Sequence, residues 1–116
     1  MADEILLALS MFPDAETAER IAEQLVREHL VACSNILPSL RSIYEWQGKL
    51  EKTEETLVFF KTTKTRWPDL QAKLKSLHPY DVPEIVAVRI ADGLPEYLRW
   101  VSGNCSRPNE EKRSGD

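Results

Sequence analysis

The apolar positions change period along the chain. Ile5-Leu6-Leu7-Ala8-Leu9 form a continuous apolar run, which predicts a buried central strand over residues 4–11. Pro13-Asp14 ends that run and offers Asp14 as a helix N-cap. Ala15, Ala18, Ile21, Ala22, Leu25 and Val26 then recur at three and four residues. That spacing predicts an amphipathic helix ending near Glu28 or His29. Residues 30–37 read as a second strand closed by Pro38. Residues 41–50 read as extended, with Tyr44 and Trp46 on one side and a bend at Gly48-Lys49. The polar run Glu51-Lys52-Thr53-Glu54-Glu55 reads as a solvated hairpin tip, leading into an apolar strand at 56–63. Trp67, Leu70, Leu74 and Leu77 predict a helix from Thr65 with Pro68 in its first turn, stopped by Pro79. A strand at 84–91, a turn at Asp92-Gly93 and a short helix at 95–101 complete the pattern.

The order strand, helix, strand, strand, helix, strand is the split βαβ arrangement of ferredoxin-like folds. The expected class is α+β: an antiparallel βαββαβ sheet with a long hairpin and an extra C-terminal helix. Both long helices would lie on one face, and the apolar character of the strands calls for other subunits to cover the opposite face. One domain is expected over residues 1–102. Residues 103–116 carry almost no apolar side chains and read as a disordered polar tail, with Cys105 inside it.

Composition narrows the classes of function. The 116 residues carry a net charge of -4, which argues against phosphate-backbone binding and hence against a nucleic-acid partner. Two cysteines without a CxxC pattern make neither a disulfide framework nor a thiolate zinc cluster. The acidic start lacks the basic region of a signal peptide, and no apolar run approaches a membrane span, so a cytoplasmic protein without membrane attachment is the expectation. Four glycines, none arranged as an anion cradle, speak against a phosphohydrolase, and no nucleophile–base pairing is readable.

The most concentrated chemistry lies in His78-Pro79-Tyr80-Asp81-Val82-Pro83-Glu84, where two prolines stiffen a connection carrying an imidazole, a phenol and two carboxylates. His78 can ligate a metal through its neutral ring, or it can be a helix-end imidazole favoured by the C-terminal dipole. Tyr80, Asp81 and Glu84 offer oxygen ligands, or hydrogen bonds that fix the loop. Cys33 is a soft ligand candidate, or a small apolar strand residue. Tyr44 and Trp46 line a cleft or pack at an interface. Lys61 contacts an anion or reaches solvent.

Ala32-Cys33-Ser34-Asn35-Ile36, Tyr44-Glu45-Trp46-Gln47-Gly48-Lys49, Phe60-Lys61-Thr62-Thr63, the 78–84 loop and Tyr97-Leu98-Arg99-Trp100 together closely resemble the CutA divalent-cation tolerance proteins. The resemblance spans residues 4–101. It implies a homotrimer of an architecture similar to the PII signalling proteins, with hairpins wrapped around neighbours. It also implies a noncatalytic role in tolerance of divalent cations, copper (Cu2+) among them. On this reading His78 is the metal residue, and Cys33, Tyr44, Trp46, Lys61, Tyr80 and Glu84 are cleft or interface residues. Copper-binding bacterial relatives carry a cysteine late in the first strand and a His-His pair before Pro-Tyr. This chain has Ser10 and Leu77-His78 there, leaving one imidazole of three ligands. The alternative is a passive structural or PII-type signalling trimer whose part in metal tolerance is indirect.

Overall fold

A computed structural model describes residues 3–105. The elements run β1 (Ile5–Phe12), α1 (Ala15–Arg27), β2 (Cys33–Trp46), β3 (Lys49–Thr63), α2 (Trp67–Leu77), β4 (Ile85–Arg89) and α3 (Pro95–Gly103). The sheet order is β2-β3-β1-β4, antiparallel throughout. This is the ferredoxin-like fold expected from the element order. The apolar run of β1 takes a central place because it pairs on both sides, Ala8 lying between Phe60 and Ala87.

Alternation along the strands divides the molecule into two faces. Ala8, Phe12, Val58 and Phe60 point toward α1 and α2 and meet Ile21, Leu25, Leu70 and Leu74 in the main core. Asp14 caps α1 by accepting the Thr17 N–H at 2.7 Å, and that bond lowers its carboxyl below the usual value. At the other end His29 adopts φ 59°. Its N–H bonds to Val26 O and that of Leu30 bonds to Leu25 O, a Schellman ending that returns Leu30 to the core.

The opposite face has little cover among the described residues. Leu9, Met11, Leu57 and Phe59 are half-buried there, and Leu37, Val86 and Val88 are exposed. α3 packs only at one end, where Ile5, Ala32, Val101 and Cys105 form a second, smaller core with Leu98 and Ile90.

Three expectations are corrected. β2 does not close at Pro38. It continues through a bulge between Leu37 and Leu40, with Ser39 at φ 61°. An edge strand tolerates a missing N–H, so Pro38 interrupts only one rung. Second, Glu51–Glu55 are not the hairpin tip. The turn is Gln47-Gly48, both at positive φ, as in a two-residue type I′ turn. Residues 51–55 belong to β3, opposite Tyr44 through Leu40. Third, Cys105 is 5% exposed and part of the second core. Burial pushes its thiol up to about 11. Residues 106–116, the rest of the expected disordered tail, lie outside the described residues. Smaller shifts are β4, shorter than predicted, and α3, which runs on to Gly103.

β1 stops pairing with β3 at Phe12↔Thr56. The hairpin beyond that point therefore projects from the sheet, and the molecule measures 55 × 27 × 21 Å. Among the described residues, no helix is long and apolar enough to cross a membrane.

Candidate functional site

The projecting hairpin and the loop after α2 face each other across a cleft of about 810 Å³. One wall is Tyr44 and Trp46 of β2 with Glu51, Thr53, Glu54 and Glu55 of β3. The other is Tyr80, Asp81, Val82 and Glu84, and Met11 and Pro13 close the end. Strand alternation puts Tyr44 and Trp46 on one side of β2, and Tyr44 pairs in register with Glu51. Both rings are exposed, Tyr44 by 44% and Trp46 by 62%.

The loop wall is held by specific bonds. The Tyr80 hydroxyl donates to Glu55 Oε2 at 2.9 Å. Burial, and then that carboxylate, hold the phenol well above its ordinary pKa, so it stays protonated as the donor. Lys75 Nζ donates to Asp81 O at 2.8 Å. Pro79 and Pro83 stiffen the backbone on either side of these ties.

His78 lies behind this wall, at the C-cap of α2. It is 8% exposed, and its ring stacks on Phe12 with centroids 4.6 Å apart. Nε2 is 2.7 Å from Met11 O, and Nδ1 accepts the Tyr80 N–H at 3.2 Å. A carbonyl can only accept and a backbone N–H can only donate, so the ring is the Nε2–H tautomer with both nitrogens engaged. Burial lowers its pKa, with the Met11 bond acting the other way. To ligate a metal, the ring would have to give up one of these bonds. Ser10 is fully buried on β1 and Leu77 packs against the main core, so neither adds a ligand. Among the described residues no group of three or more His, Cys, Asp or Glu side chains is placed to hold a metal ion. The described residues of this chain thus do not fit a preformed copper centre.

The expected cleft residues separate into two groups. Tyr44, Trp46, Tyr80 and Glu84 come together in the cleft. Cys33 and Lys61 are cross-strand partners farther along β2 and β3, on the order of 20 Å from Glu55 at the usual strand rise. There Lys61 Nζ donates to Asn35 Oδ1, and Cys33 Sγ lies 3.8 Å from that oxygen and 3.9 Å from Tyr97 OH. Tyr97 in turn stacks on Trp100. The acidic wall is hard to read from the polar run 51–55, whose residue types are poor strand formers. The signal for it is Gln47-Gly48, because a two-residue turn there fixes Glu51 opposite Tyr44.

Residues 6–104 match the family model described as CutA1 divalent ion tolerance protein. The chain is 49% identical over 98 residues to the divalent-cation tolerance protein CutA of Thermus thermophilus, covering 84% of this chain and 95% of that one. It is 38% identical over 97 residues to the corresponding protein of Pyrococcus horikoshii, covering 84% and 94%. The crystal structure of CutA1 from Oryza sativa superposes with a TM-score of 0.88 at 32% identity, covering 90% of this chain and 96% of that one.

Proposed function

The chain belongs to the CutA1 divalent ion tolerance family, and on that premise we propose that it works as a noncatalytic homotrimer whose part in cation tolerance is indirect. The observation that carries the assembly is the open sheet face. Leu37, Val86 and Val88 are exposed beside half-buried Leu9, Leu57 and Phe59, and an apolar face of this extent favours burial against another copy. The projecting hairpin gives each protomer an arm that can reach a neighbour.

The indirect role rests on His78. The family resemblance implies a metal role for His78, whereas its ring packs on Phe12 and bridges Met11 to Tyr80. The rival reading is direct copper binding at His78. Light scattering and calorimetry test both parts. The assembly reading expects a mass close to three times the 13.3 kDa chain and a smaller mass for Val86→Asp. A monomeric wild type removes it. The indirect reading expects the same copper isotherm for wild type and His78→Ala. Copper binding lost in that variant establishes the rival.

A further inference from the structure

We propose that the cleft between the hairpin and the 78–84 loop binds a small organic ammonium ion, held by the faces of Tyr44 and Trp46 and by the carboxylates opposite them. Every residue named in this proposal belongs to one chain.

Three properties of the cleft converge on that ligand class. The first is charge. Glu51, Glu54, Glu55, Asp81 and Glu84 all line it, and among the described residues no Lys, Arg or His side chain does. Glu55 is engaged by a wall contact, the Tyr80 hydroxyl. Thr53 lies on the same wall, and its Oγ1 has no hydrogen-bond partner among the described residues.

The second is the pair of aromatic side chains. An indole and a phenol that remain 62% and 44% exposed in an acidic cleft give a cation both a π face and a counter-charge. Each such contact is worth more as water is excluded. A neutral aromatic ligand would use the rings but leave the carboxylates unpaired, and an anion would be repelled.

The third is size. A hard metal ion needs oxygen atoms converging at roughly 2.3–2.6 Å around one point. Here the carboxylates are distributed over two walls of an 810 Å³ space, and no three acidic groups are grouped for a metal among the described residues. A volume of that order is typical of small-molecule sites. An extended cation with an apolar body meets separated carboxylates and ring faces together, whereas a bare ion reaches only one of them.

Calorimetry of the full chain at low salt tests this, with benzyltrimethylammonium chloride as probe. Benzyl alcohol is the neutral arm, and calcium and copper chlorides are the metal arms. The proposal expects saturable binding of the ammonium probe, about tenfold or more tighter than benzyl alcohol and weakened by added salt. Trp46→Ala and Glu51→Gln should each weaken it about three- to tenfold, while Cys33→Ala, remote from the cleft, leaves it unchanged. Should Trp46→Ala fail to fold, the indole N–H resonances of the wild type give the same answer. Trp46 should shift with the probe while Trp67 and Trp100 do not. Equal affinity for benzyl alcohol, no saturable binding, an unmoved Trp46 signal, or metal binding alone that is lost in Glu51→Gln would each overturn it.

Discussion

Tyr80 and Glu55, 25 residues apart in sequence, are joined by a 2.9 Å hydrogen bond that fastens the loop after α2 to the root of the hairpin. It ties one wall of the cleft directly to the other. The bond runs from a neutral hydroxyl to a carboxylate, the stronger kind of side-chain pairing. Tyr80→Phe keeps the ring and removes only that bond. The expected cost is about 1–2 kcal/mol, reduced by partial exposure, read as a lower urea midpoint with an unchanged slope. A midpoint equal to wild type would show that the walls stand without the tie.

His78 sets a pH dependence. Burial lowers its folded pKa below the ordinary 6.5, so the unfolded chain binds the proton more readily. Its contribution to stability is therefore complete above pH 6.5 and falls as the pH drops from there through the folded value. Protonation at Nδ1 also removes the acceptor that holds the Tyr80 N–H. Urea midpoints taken from about pH 7.5 downward should decline more steeply below 6.5 in wild type than in His78→Gln. Parallel profiles for the two proteins would remove His78 as the cause.

The two thiols should behave differently. Cys105 sits in the second core with its thiol pushed up to about 11, so at pH 8 only about one molecule in a thousand carries the thiolate. In Cys33→Ala, the remaining thiol should react with an aromatic disulfide reagent only as fast as the protein unfolds. Rapid reaction under native conditions would mean that α3 leaves its seat easily.

Gly48 stands at φ 78°, and a methyl group added there would meet no atom within 4 Å. Gly48→Ala therefore tests backbone conformation without a steric clash. The expected loss is about 1 kcal/mol, and Gln47→Asn, which suits the first position of a type I′ turn, should recover part of it. Chemical denaturation of the single and double variants measures both.

Much of this architecture is legible in sequence, because β1 is one short apolar run bounded by Pro13 and α1 and α2 each carry a helical period. The hairpin is less so. Pro38 looks like a strand end, yet on an edge strand it costs one rung and is absorbed by the bulge at Leu37/Leu40. Glu51–Glu55 look like a solvated tip because pairing energy is invisible in one strand alone. Arg41↔Glu54 and Tyr44↔Glu51 exist only once the register is set. Cys105 looks like a tail residue because its neighbours in sequence are polar, while its neighbours in space are Ile5, Ala32 and Val101. Sequence names some residues of the cleft, on β2 and the 78–84 loop, but misses the acidic wall of β3 and does not group them. Residue type marks Tyr44, Trp46, Tyr80 and Glu84 as candidates, yet nothing in their spacing separates them from Cys33 and Lys61. Nor does spacing reveal that Phe12 stacks on His78.

The stretch of β3 that outruns β1 leaves one strand edge without a sheet neighbour among the described residues of its own chain. An unguarded edge is a template for indiscriminate strand addition and fibre growth. Here it reads Lys49, Glu51, Lys52, Glu54 and Glu55 within seven residues, so any strand laid against it must present a matching order of charges. The arm that makes this molecule reach outward is also the part that rejects unselected company.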